Sequence, residues 1–242
     1  PHTIQDVQRH LIALRGTGCA GLVRVRADEP MLIKPYLDIA PDGIIVQDLG
    51  IARIVKEHFP SLELHASTQL VAHNLEGVLA MKELGFIRVV LARELSLEEI
   101  ASIVKRSRTM EIECFIHGAL CYSISGLCLY GAMEKSRSGN RGRCPYCCRV
   151  AHEDAAGGKR LQFSMKDLRL DEDVLKLVDA GVKSLKIEGR MKSDFYVASA
   201  VKYYRQIISG ADFGRLTKSD LETVFSRRTT KLYFDGAKNT SS

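Results

Sequence analysis

The chain lacks any apolar run close to the roughly 18 residues that a membrane-spanning helix needs. Its first residues, PHTIQDVQRH, are polar and hold no signal-peptide apolar segment. Both absences lead to the expectation of a cytoplasmic protein. Two hydrolytic signatures are missing as well. There is no HExxH helix for a catalytic zinc and no GxSxG elbow for a serine nucleophile. A zinc ribbon needs two CxxC pairs, and only Cys144-Pro145-Tyr146-Cys147 has that spacing.

The 242 residues suffice for one large domain or two small ones, and a content of 45% hydrophobic and 26% charged residues is that of a globular protein. The net charge of +6 permits nucleic-acid binding without requiring it. Cysteine is the unusual presence. There are seven, most of them between Cys114 and Cys148. In a reducing compartment such clustering points to metal or catalysis more than to disulfides.

The middle of the chain repeats a short β-branched strand, a polar tip and a helix. DGIIVQD (42–48) ends in Gln47 and Asp48 before a helix over 51–58. LELHASTQ (62–69) ends in His65, Ser67, Thr68 and Gln69 before a helix over 74–84. FIRVVLARE (86–94) ends in Arg93 and Glu94, and Ser96 with Glu99 forms a capping box for a helix over 97–107. EIECFIHG (111–118) is a further strand. VKSLKIEGR (182–190) is another, lying between helices over 171–181 and 194–208. With AGLVRV (20–25) about six strands result, where a (β/α) barrel has about eight. Alternating strands and helices imply βαβ units and a parallel sheet. The expected fold is therefore α/β, a TIM-like barrel that is incomplete or has non-standard N-terminal units. A doubly wound open sheet is the alternative. One domain is expected over 1–236, with an atypical βα segment at 1–41, a Cys-rich insertion at 119–170 and a disordered tail at 237–242.

Barrel chemistry sits at the C-terminal strand ends. His65, Glu94, Glu113, His117 and Glu188 are placed there and could gather a catalytic metal; Arg190 closes the same strand as Glu188. The competing reading of each is a hydrogen-bonded interior residue. His58, His73 and His152 read as solvated. Cys121, Cys128, Cys144, Cys147 and Cys148 offer four thiolates, two from each side of a loop, for an iron–sulfur cluster or a zinc. The residues alone leave that open against a set of small buried thiols, the reading that suits Cys19 and Cys114. Lys135, Arg137, Arg141, Arg143, Arg149, Lys159 and Arg160 surround this loop. They suit phosphate contacts, compensation of an anionic cluster, or simple solvation. Tyr130 and Tyr146 could stack on a base.

The stretch EIECFIHGALCYSISGLCLYGAMEKSRSGNRGRCPYCCR (111–149) resembles the signature region of the U32 peptidases, the collagenase-like proteases. DGIIVQDLG, ELHASTQ, VVLARELSLEEI, FSMKDL and VKSLKIEGRMKSDFYVASAVKYYRQ are similar to further blocks of that family, in order, over about 42–234. The resemblance implies a TIM-like barrel. It also implies a [4Fe–4S] cluster on Cys121, Cys128, Cys144 and Cys148, with Cys147 the competitor of Cys148 for the fourth place. The implied activity is oxygen-independent hydroxylation of RNA bases or of an aromatic quinone precursor. Prephenate is implied as co-substrate, and His65, Glu94, His117, Glu188 and Arg190 would serve catalysis. Arg137, Arg141, Arg143 and Arg149 would bind RNA. A peptidase and a non-catalytic scaffold are the alternatives. Residues 1–41 instead resemble an HpcH/HpaI aldolase barrel fragment, in which Arg24 would meet a carboxylate, so the chain reads as a chimera or a truncated member. A barrel short of strands exposes a sheet edge; a homo-oligomer or strand-swapped assembly is expected to cover it.

Overall fold

The computed structural model describes residues 22–24, 41–153, 155, 157–189, 192–210, 221–222 and 227–236, with the side chains of 22–24 outside the description. The aldolase-like segment, apart from the backbone of 22–24 and residue 41, and the tail at 237–242 lie outside the described residues.

The elements in chain order are β1 (Leu22–Arg24), β2 (Gly43–Val46), α1 (Leu49–His58), β3 (Glu63–Ala66), α2 (Leu75–Glu83), β4 (Arg88–Val90) and α3 (Leu97–Ser107). Then come β5 (Glu111–Ala119), α4 (Tyr130–Lys135), β6 (His152–Glu153), β7 (Lys159–Arg160) and β8 (Asp167–Arg169). The last are α5 (Val174–Asp179), β9 (Ser184–Ile187), α6 (Asp194–Ser209) and β10 (Thr229–Thr230). Helix starts follow local chemistry. Asp48 accepts from Ile51 N at 2.9 Å and Asn74 from Gly77 N at 2.7 Å, each satisfying an otherwise orphaned amide. Ser96 and Glu99 form the expected capping box of α3. No helix among the described residues is long and apolar enough to cross a membrane.

The main sheet runs β1–β2–β3–β4–β5–β8–β10, with β9 also paired to β5. Its pairs are parallel except β5 with β8. This alters the expected barrel in two ways. Among the described residues no pairing closes the sheet, so the observed architecture is a mixed α/β sheet. The antiparallel pair has a local cause. A parallel return needs a crossover that packs on the sheet face, but the chain from 120 to 166 turns back over the strand ends instead. Two strands of the sheet, β8 and β10, were not expected at all. Asp167-Leu168-Arg169 and Thr229-Thr230 are too short and too polar to show period-2 alternation.

Alternation divides the sheet into two chemically distinct faces. Ile44, Val46, Leu64, Ala66, Val89, Ile112, Cys114 and Ile116 bury one face in the core. There they meet Val55 of α1, Val78 of α2, Ile100 and Ile103 of α3, Leu177 of α5 and Tyr203 of α6. Cys114 is thus a core side chain, and burial pushes its thiol up to about 12. The other face carries Glu63, His65, Arg88, Glu111, Glu113, Ser184 and Lys186. Glu113 is its hub: Lys186 Nζ at 2.5 Å, Ser184 Oγ at 2.8 Å and Arg88 Nη1 at 3.9 Å all reach its carboxylate. Burial raises the Glu113 pKa, but these partners outweigh it and hold the group below its ordinary value.

β5 and β9 meet at a close approach. Gly118 has φ +106, and a Cβ there would lie 2.6 Å from Glu188 O and 2.8 Å from Glu188 Cβ. Only glycine combines that backbone with that contact. Gly118→Ala is expected to lower unfolding free energy by about 3 kcal/mol. Urea unfolding measures it, and an unchanged midpoint would contradict this close approach.

Candidate functional site

The connection from β5 to β8 folds over the C-terminal ends of the strands. Cys121 and Cys128 flank a tight turn at Ile124–Gly126, in which buried Ser125 takes φ +44. Cys147 and Cys148 start a second such turn, Cys147–Arg149. Gly139 seats Cys128 and Cys144 next to each other. A Cβ on it would stand 3.9 Å from Cys128 Cβ and 3.7 Å from Cys144 Cβ. Pro145 presses on the first turn of α4, where a Cβ at Gly131 would meet its Cδ at 2.5 Å. The two halves of the cysteine segment are therefore packed on each other, and all five thiols are free.

Electrostatics show which thiols influence one another. Burial raises Cys121, with Cys128 and Cys144 adding to the rise and Arg93 opposing it. Burial raises Cys148; Arg149 opposes this, and Cys121 and Cys144 add to it. Burial also acts upward on Cys128, but hydrogen bonds from the Ser123 side chain and from the Tyr130 and Gly131 backbone overcome it and leave this thiol lowered. Cys121 is thus influenced by Cys128 and Cys144, and Cys148 by Cys121 and Cys144. Cys147 stands with Cys148 near Tyr130, and its carbonyl bonds His152 Nε2 at 3.0 Å. Among the described residues, no three His, Cys, Asp or Glu side chains gather as a site for a metal ion.

Strand-end side chains clamp this segment to the sheet. Gln47, after β2, donates to Asn140 O at 2.8 Å. Gln69, beyond β3, donates to Gly126 O at 2.9 Å and approaches Asn140 Oδ1 at 3.4 Å. That same Oδ1 accepts from Cys128 N at 2.8 Å. Glu94, beyond β4, accepts from Ser125 N at 2.7 Å and Ser125 Oγ at 2.6 Å. Arg93 donates to Ala119 O at 3.0 Å, and Arg149 to Leu120 O at 2.7 Å. Asn140 was absent from the sequence expectations. The available signal was an Asn in a Gly-rich turn, where its amide bonds local backbone.

The expected catalytic residues do not form one constellation. Glu94 holds Ser125. Glu188 lies 3.5 Å from Arg93 Nη2. His65, buried, pairs with Glu63 Oε2 at 3.3 Å within the charged layer around Glu113. His117 meets the Tyr204 hydroxyl at 3.1 Å, at the β5 position that pairs with Arg169 of β8. Arg190 lies outside the described residues, as does the Arg24 side chain. The expected metal gathering of His65, Glu94, Glu113, His117 and Glu188 is therefore replaced by separate pairs, each formed with a nearer partner. Arg137, Arg141 and Arg143 are exposed on the loop. Arg149, expected to face RNA, instead turns inward onto Leu120 O, Ser164 Oγ and Met165 O.

A family model described as "Peptidase family U32" matches residues 27–242. The chain belongs to peptidase family U32. The match starts ahead of Asp42, so part of the aldolase-like stretch falls inside it. The chain is 36% identical over 217 residues to the 23S rRNA 5-hydroxycytidine C2501 synthase of Escherichia coli (strain K12), covering 85% of this chain and 33% of that protein. It is 39% identical over 223 residues to tRNA hydroxylation protein P1 of Bacillus subtilis (strain 168), covering 84% and 53%. It is 31% identical over 269 residues to a collagenase of Porphyromonas gingivalis (strain ATCC BAA-308 / W83), covering 98% and 64%. The U32 chain thus spans less than two thirds of the length of each of these relatives.

Two expectations test the U32 site geometry. Asn140→Ala removes the acceptor of Cys128 N and is expected to speed amide exchange at 126–144, with a stability loss of about 1–2 kcal/mol; exchange mass spectrometry reads the segment directly. The second concerns His117, whose pKa burial and Arg169 lower to about 4 against partial opposition from Asp171 and Asp167. Its ordinary value is about 6.5, so between those values the unfolded chain binds the proton and the folded one does not. Stability is then full above about pH 6.5 and falls as pH drops toward 4, by about 2 kcal/mol between pH 6.5 and 5. In urea titrations His117→Gln is expected to flatten that slope.

Proposed function

We propose that this U32 chain is the cysteine-bearing part of an iron–sulfur-dependent, oxygen-independent hydroxylase acting on RNA bases. The observation that carries the reading is the set of Cys121, Cys128, Cys144 and Cys148, flanked by the Arg93 and Arg149 guanidiniums. The donor chemistry suits the group. A single zinc needs its thiolates about 2.3 Å from a common point, and the thiols do not gather that way. A [4Fe–4S] cluster takes four cysteine thiolates and holds them farther apart. When bound, such a cluster supplies one-electron chemistry.

The chain's own residues do the remaining work. Gln47, Gln69, Glu94 and Asn140 fix the loop carrying the thiols, so the site is held by rigid strand ends. Ser123 and the first amides of α4 favour the Cys128 thiolate, the form that binds metal. Arg93 and Arg149 offset anionic charge in a partly buried setting. Exposed Arg137, Arg141 and Arg143 suit phosphates, and exposed Tyr122 and Tyr146 on the same segment suit base stacking. The names of the RNA-hydroxylating relatives favour RNA over an aromatic small molecule as the substrate. Prephenate is the proposed co-substrate.

The collagenase relative favours a hydrolase as the second reading. Nucleophilic hydrolysis needs a serine or cysteine on its general base, whereas His65 bonds Glu63 and His117 bonds Tyr204.

Anaerobic purification followed by iron, sulfide and visible-absorption measurements tests the proposal. The wild-type chain is expected to hold iron and sulfide. Cys→Ser at 121, 128, 144 or 148 should each reduce bound iron by about tenfold or more, while Cys147→Ser should retain most of it. A colourless or zinc-loaded protein would sink the cluster. Cleavage of casein or gelatin that tracks a point mutation would establish the hydrolase. Mass spectrometry of RNA nucleosides after incubation with prephenate reads the substrate class.

A further inference from the structure

Arg93 is set apart from the other basic residues of the site. Its side chain is about nine-tenths buried, with 11% exposure. The guanidinium carbon sits 3.8 Å from the centroid of the Phe115 ring, so one face is sealed by an apolar plane. Nη1 donates to Ala119 O, two residues before Cys121. Nη2 lies 3.5 Å from Glu188 Oε2, and Nε is buried without a hydrogen-bond partner among the described residues. Arg149 donates to the next carbonyl, Leu120 O, but is also tied to Ser164 and Met165. Two guanidiniums therefore bracket consecutive carbonyls at the entry to Cys121, and the one from β4's end is the less committed.

The geometry points to Arg93 as the positioning residue of Cys121 and as the buried positive charge that poises the cysteine-bound group for reduction, with Glu188 as its counterweight. This rests on the cluster reading above. A fixed cation beside a redox group stabilises the form carrying one more electron, and burial keeps solvent from screening it. Glu188, with 28% of its side chain exposed, opposes that effect at closer range to solvent. Removing each charge must therefore move the potential in opposite directions. A purely structural Arg93–Glu188 pair would move it the same way in both variants, because both would loosen the same contact.

The test uses the full chain, purified anaerobically, with dithionite as the titrant; one electron enters per reduction step and no bond is made or broken. Iron and sulfide per chain are measured first, then the midpoint potential by visible and EPR spectroscopy. Arg93→Met is expected to weaken reduction about tenfold, a fall of about 59 mV for one electron. Glu188→Gln is expected to raise the potential by a smaller amount. Arg93→Lys keeps the charge and should stay within about threefold of wild type. If Arg93→Met loses iron and sulfide while Arg93→Lys keeps them, the charge is required for retention, and the Glu188→Gln shift then decides its sign. Equal behaviour of the Lys and Met variants, or shifts of the same sign for Arg93→Met and Glu188→Gln, would overturn the assignment. Wild-type protein without iron and sulfide overturns the cluster itself, an outcome read before any variant is compared.

Discussion

The structure depends on hydrogen bonds between strand-end side chains and the backbone of one loop. Gln47, Gln69, Arg93 and Glu94 lie just past three neighbouring parallel strands, and each reaches a backbone group between 119 and 140. A loop of that length, with small irregular turns, buries too little apolar surface to order itself. The clamp supplies order from outside. It also explains why the thiols lie over the sheet: the parallel strands all deliver their polar tips to the same edge, and the loop stays there.

The same constraint accounts for the antiparallel strand. Because the chain remains over the strand ends instead of crossing a sheet face, it re-enters the sheet in the reverse direction as β8. β8 then has to be anchored without the usual crossover helix packing. Asp167 does so, as a fully buried carboxylate gripped by Arg227 through contacts of 2.9 and 3.0 Å. Tyr204 does so from α6, its hydroxyl donating to Ile116 O at 3.1 Å and accepting from Leu170 N at 3.3 Å. With that proton committed to Ile116, Nδ1 of His117 is the donor to the same oxygen. His117 is therefore a seam residue between β5 and α6.

Much of this was legible in the sequence, and the failures have physical causes. The helices from 49 to 107 and the strands around them follow from alternation, caps and glycine stops, which are local signals. The pairing of Cys121 and Cys128 with Cys144 and Cys148 came from family resemblance; in the structure Gly139 sets Cys128 beside Cys144, and among the described residues no three ligating side chains gather. What was illegible is what depends on distant partners. β8 and β10 are strands only because their neighbours pair with them. His65 and His117 read as catalytic in the sequence because histidine at a strand end is chemically suggestive; in the structure His65 bonds Glu63, two residues away, and His117 bonds Tyr204 from α6. Arg149 looked like a phosphate ligand because a charge run reads as surface. Its inward turn is set by carbonyls at Leu120 and Met165.

The polar face of the sheet then resolves into two layers with different consequences. Near the strand starts, Glu63 pairs with His65, Arg88 reaches Glu111 through Nε at 2.8 Å and Nη2 at 2.5 Å, and Ser184 and Lys186 bond Glu113. Its buried centre, Glu113, tolerates little change, because removing a partner leaves that charge less compensated. At the strand ends most partners are loop backbone groups, with the Arg93–Glu188 ion pair a charged exception. A substitution at Gln47 or Gln69 there alters what the loop holds without leaving an unpaired ion in the sheet. The loop held at the strand ends can therefore change while the charged layer beneath it stays in place.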